Sequence, residues 1–334
     1  MQKNWFSIAL ILCLSLLFLV NAGYSLLLVY QSQSEIKTFL NPANTYPMLY
    51  HITVLLPESN DPFIEQLKTS IEKAVTADNG AVEFLFYTQQ NSTADSAVSS
   101  KAEELFNLAL NANVDGIIMF FSQAEYISSY AKRAKQASVP FTAIAMNYSS
   151  AADSYYVVSS DSYAQGKYAI QEALSVLGNS ARIGIIVPYS TTDTVDSASF
   201  LNGAKTALLE HGKGKISAVI FEGDPALQGE EAGFTLFHNK PDINVIICST
   251  AHISMNTAQL LIDKSLVGKI LLIGSDENSE ISRLLEKGVF KATIIRIADA
   301  IGKAAQKLIM EQIQKTGKPI QLSIKPIIKS IENK

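Results

Sequence analysis

The sequence has few of the residues from which metal centres and disulfide frameworks are built. It holds two cysteines and four histidines in 334 residues. Cys13 lies in an apolar run and Cys248 ends a predicted core strand, so we predict that they do not pair, and they do not decide the compartment. The histidines are scattered without metal-ligand spacing, which predicts that no metal is bound.

Motifs of catalysis are missing as well. No Gly-x-Ser-x-Gly, Gly-x-Gly-x-x-Gly or Gly-x-x-x-x-Gly-Lys-Ser/Thr pattern stands at a strand–helix junction. Asp61, Asp161 and Asp276 would be the acidic cluster of an enzyme, but each suits binding or capping better. The net charge is −4 without a basic block, which argues against nucleic acid as a partner. We therefore predict a protein that is not an enzyme and has no cofactor.

The composition is that of a folded protein with a large core. Hydrophobic residues make up 48% of the chain and charged residues 17%, a balance that argues against disorder. The length is sufficient for two lobes of ordinary domain size.

The amino-terminal segment is almost purely apolar. The run from Trp5 to Tyr30 carries no charge and exceeds the roughly 20 residues that span a bilayer. Lys3 precedes the run, so the amino end is expected in the cytoplasm and the body of the protein outside. The tripeptide 20–22 leaves a cleaved signal peptide open. Because the apolar run continues beyond it, we favour an uncleaved anchor over residues 1–31, followed by a stalk over residues 32–48.

The clearest strand–helix unit begins at His51. Residues 52–56 form a continuous apolar or β-branched run, which is typical of a parallel strand covered on both faces. Asp61 suits the N-cap of the next helix and Pro62 its first position. Phe63 then stands at the carboxyl end of a strand, where open α/β sheets bind ligands. The simpler alternative is that Asp61 only caps and Phe63 only packs. The face predicted to meet the sheet carries Ile64, Leu67, Ile71 and Ala74.

Strand and helix patterns alternate through the remaining chain and restart once, after residues 155–158. This rhythm predicts an α/β protein with two Rossmann-like lobes of parallel sheet flanked by helices. We assign residues 49–158 plus 297–322 to the first lobe and residues 159–296 plus 323–334 to the second. A hinged cleft between such lobes, at their facing strand ends, is where small ligands bind.

Several short segments, taken in order, resemble the type I periplasmic sugar-binding proteins of the ribose-binding kind. The order and spacing of these segments carry the resemblance, which extends from about residue 50 to the end of the chain. It implies the two-lobed, hinged fold of that family. The segments are Asn60-Asp-Pro-Phe63, Asn113-Val-Asp-Gly-Ile-Ile117, Ala137-Ser-Val-Pro140, Ser160-Asp161 with Gly166, Gly274-Ser-Asp276, Gly288-Val-Phe-Lys-Ala-Thr-Ile294 and Ile301-Gly302.

The resemblance also implies a site, because that family binds a sugar between its lobes through aromatic rings and polar side chains. Asp276 matches a hydroxyl-binding aspartate, and Arg296 stands where a glutamine usually reaches in. The chain departs from the pattern at Met146, Ala198 and Ile64, which replace two arginines and a phenylalanine. Arg296 is therefore expected either to meet an anionic group of the ligand or to pair with Asp276. The implied ligand-binding residues are Asp61, Phe63, Phe121, Asn147, Thr191, Asp193, Thr250, Asp276 and Arg296.

The apolar run and the resemblance together predict a function. An anchor on this fold looks like the membrane-tethered sugar-binding proteins that work beside a membrane histidine kinase. We predict a single-pass protein of the cell membrane whose extracytoplasmic lobes close on a sugar or related solute and signal to such a kinase of a two-component system. The substrate-binding component of an ABC sugar importer is the alternative, and a degenerate cleft with a protein-binding role is a third. A transcription repressor would need a helix-turn-helix where the apolar run stands.

Overall fold

The computed structural model describes residues 49–88, 100–146, 148, 155–189, 196–223, 231–240 and 242–331. The predicted anchor and stalk lie outside these residues. Within the described ranges, no helix is long and apolar enough to cross a membrane.

The first lobe is built on one parallel sheet. Its strands are β1 (Tyr50–Pro57), β2 (Gly80–Tyr87), β3 (Gly116–Phe121), β4 (Phe141–Ala145), β5 (Val157–Ser160) and β11 (Gln321–Ile324). They lie side by side in the order β2-β1-β3-β4-β5-β11. The helices of this lobe are α1 (Pro62–Ala77), α2 (Ser100–Asn111), α3 (Ile127–Gln136) and α9 (Ala298–Ile313), with a 3-10 turn at Ala124–Tyr126. β3 and β4 are buried along their whole length, as expected of strands covered on both faces.

The second lobe repeats this plan. Its strands are β6 (Arg182–Pro188), β7 (Lys215–Glu222), β8 (Val245–Cys248), β9 (Leu271–Ser275), β10 (Ala292–Ile295) and β12 (Ile327–Ser330). They lie in the order β7-β6-β8-β9-β10-β12, and only β12 runs antiparallel to its neighbour. The helices are α4 (Ser162–Leu177), α5 (Ser197–His211), α6 (Ala232–Asn239), α7 (Ala251–Asp263) and α8 (Ser279–Glu286), with a 3-10 turn at Gly178–Ser180.

Three segments carry the chain between the lobes. They join β5 to α4, β10 to α9, and β11 to β12. The predicted two-lobed parallel α/β architecture is confirmed. The first sheet extends to Ser160 and Ile324, which pair with each other in the ladder between β5 and β11.

The helices α4 and α5 of the second lobe pack at backbone contact. A Cβ atom at Gly166 would lie 2.0 Å from the carbonyl oxygen of Phe200, and one at Gly203 would lie 1.9 Å from that of Tyr163. Backbone atoms cannot move aside as the end of a side chain can. Glycine is therefore required at both positions by the close approach of the helices.

Replacing Gly166 with alanine is expected to lower the free energy of unfolding by about 2–3 kcal/mol, because the two helices must separate. Urea denaturation followed by circular dichroism measures this. Gly233→Ala in α6 is the matched control, since its Cβ atom would meet the ends of two side chains and no backbone atom, at 3.0 Å from Leu260 and 3.7 Å from Thr257. Equal stability of the two variants would show that α4 and α5 are not in backbone contact.

Candidate functional site

The loop after β1 brings Asp61 to the carboxyl edge of the first sheet. As predicted, Asp61 caps α1, and its Oδ1 accepts a hydrogen bond from the Phe63 amide at 2.9 Å, with Pro62 in the first helical position. Val75 rather than Ala74 completes the buried face, because the packed row continues at i+4 spacing. The apolar side chains that anchor α1 are Phe63, Ile64, Leu67, Ile71 and Val75. The cap therefore has a fixed position at the cleft.

Asp276 reaches the cleft from the second lobe, directly after β9. Its φ of +60° lies in the left-handed region, which is uncommon for a residue other than glycine. Its amide donates to the Ile294 carbonyl at 3.0 Å. The side chain is only 3% exposed. Such a backbone conformation persists only where the surrounding structure holds it. The contacts of the Asp276 carboxylate are part of that structure.

The guanidinium of Arg296 fills the space between Asp276 and the first lobe. Nε donates to both carboxylate oxygens of Asp276, at 2.9 and 3.2 Å, and Nη2 donates to Asp61 Oδ2 at 3.1 Å. Cζ lies 4.1 Å from the centroid of the Phe63 ring. Nη1 lies 3.7 Å from the sulfur of Met146. One buried cation thus joins a carboxylate and a ring of the first lobe to a carboxylate of the second.

Burial and mutual attraction shift the pKa values of Arg296 and Asp276. Burial alone would lower the pKa of Arg296, but the charges of Asp276 and Asp61 outweigh it and hold that pKa above its ordinary value. Burial raises the pKa of Asp276, and the opposing effect of Arg296 offsets this only in part. The guanidinium therefore stays protonated. Of the two roles left open for Arg296, the structure shows the pairing with Asp276.

A cavity of about 220 Å³ adjoins this cluster. The loop after β1 lines it from the first lobe, and the ends of β6 and β7 with the first turn of α7 line it from the second. Asp61 belongs to both the cluster and the cavity, so the two are one continuous site. The residues that line the cavity are Ser59, Asn60, Asp61, Pro188, Glu222, Thr250, His252 and Ile253.

The structure brings some of the predicted site residues together and separates others. Thr250 lines the cavity and caps α7, its hydroxyl oxygen accepting from the Ile253 amide at 3.3 Å. Phe63 is 1% exposed and lies under the guanidinium instead of being presented to a ligand. Phe121 packs in the core of the first lobe, where its ring centroid is 5.4 Å from that of Tyr130, and it is not among the cavity residues named above. Asn147, Thr191 and Asp193 lie outside the described residues. Ligand contact by all of these residues remains a prediction.

Glu222 and His252 belong to the site but were not predicted from the sequence. Glu222 ends β7, and its Oε2 accepts from the Ala232 amide at 3.1 Å. Glu222 could have been predicted by the criterion applied to Asp61, because it too stands at the carboxyl end of a parallel strand. His252 stands in the first turn of α7, three residues before Met255 in an ordinary amphipathic pattern, and nothing in that pattern distinguishes it.

A larger cavity, of about 840 Å³, lies in the first lobe away from the cleft. Its half-buried amide group, Gln312, is already engaged: Oε1 accepts from the Phe141 amide at 3.0 Å, and Nε2 donates to Thr142 and Leu308. Small-molecule sites need polar groups that remain available to the ligand. We therefore take the smaller interlobe cavity as the candidate site.

Two α/β lobes, joined by three segments and sharing a cavity that residues of both lobes line, define a two-lobed binding protein. Residues 52–319 match the family model described as periplasmic binding protein domain. The chain belongs to this family, as its sequence motifs predicted.

Individual relatives agree with this assignment. The D-allose-binding periplasmic protein of Escherichia coli (strain K12) is 26% identical over 132 residues, which cover 40% of this chain and 42% of the relative. A solved ABC transporter solute-binding protein from Actinobacillus succinogenes 130z, with bound D-allose, superimposes with a TM-score of 0.72 at 16% identity, covering 85% of this chain and 98% of that one. The XylFII–LytSN complex gives a TM-score of 0.72 at 19% identity, covering 86% and 100%. At such identities the solved structures show a shared fold.

Proposed function

We propose that this protein is an extracytoplasmic, membrane-anchored solute-binding protein that closes on a neutral sugar or sugar-like molecule. The observation that carries the proposal is the interlobe cavity, which residues of both lobes line. A solute that contacts both lobes stabilises their closed arrangement by its differential affinity for that state. The change of surface on closing is what a membrane partner would read.

The charges of the cavity favour a neutral solute. Its described lining has two carboxylates, Asp61 and Glu222, and no lysine or arginine. The nearby guanidinium of Arg296 is already bound by Asp276 and Asp61. A phosphate or carboxylate would therefore be buried beside like charge without a free cation, which is unfavourable. Hydroxyl groups, in contrast, can donate to the carboxylates and accept from Ser59 and Asn60.

The size of the cavity favours a single sugar ring. Its volume, about 220 Å³, is below the range of roughly 300–1,000 Å³ found for sites of drug-sized ligands. The names of two relatives also support a single sugar as the ligand, since one is described as D-allose-binding and the other contains bound D-allose.

We propose a membrane histidine kinase as the partner that reads closure. One solved relative is a complex between XylFII and LytSN, so a protein with this fold binds a second protein. The importer role is the second candidate, because another solved relative is named as the solute-binding protein of an ABC transporter. Neighbouring genes discriminate the two: a kinase and response regulator accompany a sensor, whereas an ATPase and permease accompany an importer.

A thermal-shift screen of the full chain in detergent tests the proposed ligand class. The panel contains neutral pentoses and hexoses, including D-allose, with the corresponding sugar phosphates and uronates. A neutral sugar at 100 times its dissociation constant is expected to add about 2.7 kcal/mol of stability, seen as a higher melting temperature. Stabilisation by the phosphates or uronates alone would overturn the proposal of a neutral ligand.

A further inference from the structure

The guanidinium of Arg296 has the contacts of a bound ligand. It donates to both oxygens of Asp276 and to Asp61, and it lies over the ring of Phe63. Its side chain has 0% exposure. The groups around it come from separate elements: the loop after β1, the start of α1 and the turn after β9. They form an enclosure that one planar cation fills.

We infer that Asp61, Phe63 and Asp276 form a guanidinium-binding site, that the chain fills this site with its own Arg296, and that the contact raises the fraction of solute-free molecules whose lobes are together. Arg296 lies on the segment between β10 and α9, one of the three that join the lobes. Its backbone is therefore fixed at the hinge while its side chain reaches carboxylates on both sides.

The enclosure selects a guanidinium over other cations. Two parallel N–H groups of a guanidinium match the two oxygens of a carboxylate, which an ammonium cannot do. The planar group also stacks on an aromatic face, as it does on Phe63. The backbone amide of Arg296 adds a hydrogen bond to Asp276 Oδ1 at 3.2 Å. Shape, charge and stacking thus specify the same chemical group.

The other polar contacts between the lobes are weaker candidates for this role. Gln66 Nε2 donates to the Glu277 carbonyl at 2.7 Å, but that bond is exposed. Ser162 Oγ donates to the Met146 carbonyl at 2.8 Å, yet this is a single hydrogen bond between two neutral groups. The Arg296 contact is buried and lies across the cleft.

The contact also affects solute binding, a consequence that rests on the proposed function. A solute that enters the adjoining cavity meets a larger fraction of molecules whose lobes are already together. The apparent affinity of a protein rises with the fraction of molecules in the competent state. Arg296 therefore raises solute affinity without touching the solute.

Chemical rescue tests the guanidinium site. The full chain with Arg296→Ala is compared with wild type in detergent, with and without guanidinium chloride at about 20 mM, a concentration far below the denaturing range. Guanidinium is expected to raise the melting temperature of the variant by about 2 °C and to leave that of wild type unchanged. Methylammonium chloride at the same concentration is the matched control and is expected to have no effect.

Spin labels test whether Arg296 favours the closed arrangement of the lobes in the absence of solute. The labels are placed on exposed helices of the two lobes by Lys132→Cys and Lys205→Cys, in a chain with Cys13→Ser. Cys248 is 0% exposed and stays unlabelled. Without solute, wild type is expected to give a distance distribution that contains a short, closed component. Arg296→Ala is expected to give a broader and longer one that narrows when guanidinium is added.

Either of two results would overturn the inference: identical distances in wild type and Arg296→Ala, or equal stabilisation of the variant by methylammonium and guanidinium. If Arg296→Ala does not fold, Arg296→Lys replaces it, because lysine keeps the charge but lacks the planar fork. The distance distribution between the two spin labels is expected to broaden in this variant as well. The melting temperatures and the spin-label distances are measured with guanidinium and without sugar, so their outcome does not depend on the identity of the proposed ligand.

Discussion

Replacing Arg296 with methionine is expected to lower the free energy of unfolding by about 3–5 kcal/mol, the range for breaking a buried ion pair by removing one partner. Methionine preserves most of the volume, so the loss comes from charge. Asp276, 3% exposed, keeps a buried carboxylate without its cation. Urea denaturation at neutral pH measures the difference, and loss of the stacking on Phe63 adds to it.

The loss of unfolding free energy in Arg296→Met, called the deficit below, is expected to grow as the pH rises. Burial already raises the pKa of Asp276, and Arg296 is what opposes that rise, so the pKa rises further in the variant. A carboxyl group with a raised pKa in the folded state destabilises the fold as the pH increases through that pKa. The deficit is therefore expected to be smaller at about pH 5 than at about pH 8.

Arg283→Met is the matched control for this prediction. Arg283 pairs with Glu280 on the exposed face of α8, with side chains 48% and 43% exposed. Exposed pairs contribute roughly 0.2–1 kcal/mol, so this variant is expected to remain close to wild type. If the two arginine variants lost equal stability, Arg296 would not be the buried link between the lobes.

Asp276→Asn is expected to have the second largest effect, a loss of about 3 kcal/mol. Asparagine matches aspartate in shape and tolerates the left-handed backbone at φ +60°, so the substitution removes charge and little else. The buried guanidinium then keeps the carboxylate of Asp61, at 3.1 Å, but has lost that of Asp276. Chemical denaturation of the purified variant gives the value.

Asp61→Asn separates the two carboxylates of the cluster. Its side chain is 11% exposed and accepts from Arg296 Nη2 at 3.1 Å, and asparagine caps a helix as well as aspartate does. A loss of about 1 kcal/mol is expected, clearly less than for Asp276→Asn. The double variant Arg296→Met/Asp276→Asn should be more stable than Arg296→Met alone, because the more deeply buried of the two carboxylates is no longer charged. A reversed order of these variants would contradict the proposed charge distribution.

The features that follow from local chemistry could be predicted from the sequence. The apolar run 52–56 can only be buried if helices cover both faces of its sheet, and β1 is buried as expected. Asp61 and Pro62 specify the start of α1 through groups within three residues of each other. Repetition of such units predicts two parallel lobes, and the motif order predicts the family.

The features that depend on distant neighbours could not be predicted. Arg296 and Asp61 are far apart in sequence, and whether Arg296 meets a ligand or Asp276 depends on the separation of the lobes. The same contact covers Phe63, which the sequence presents as an exposed ring beside a loop. Phe121 ends β3, and its side chain packs against Tyr130 of α3. Because β3 is apolar on both faces, its sequence does not show on which side of the sheet Phe121 lies.

The central claim, a neutral solute held between the lobes, is tested most directly by calorimetric titration of the sugar that stabilises the full chain most. Wild type is compared with Asn60→Ala in the first lobe, Thr250→Val in the second, and Asn202→Ala on the exposed face of α5 as the control. Both cavity variants are expected to weaken binding by about fivefold to tenfold, the effect of one lost hydrogen bond, while Asn202→Ala binds as wild type does. Absence of binding to wild type, or weakening by a variant of one lobe alone, would contradict the account.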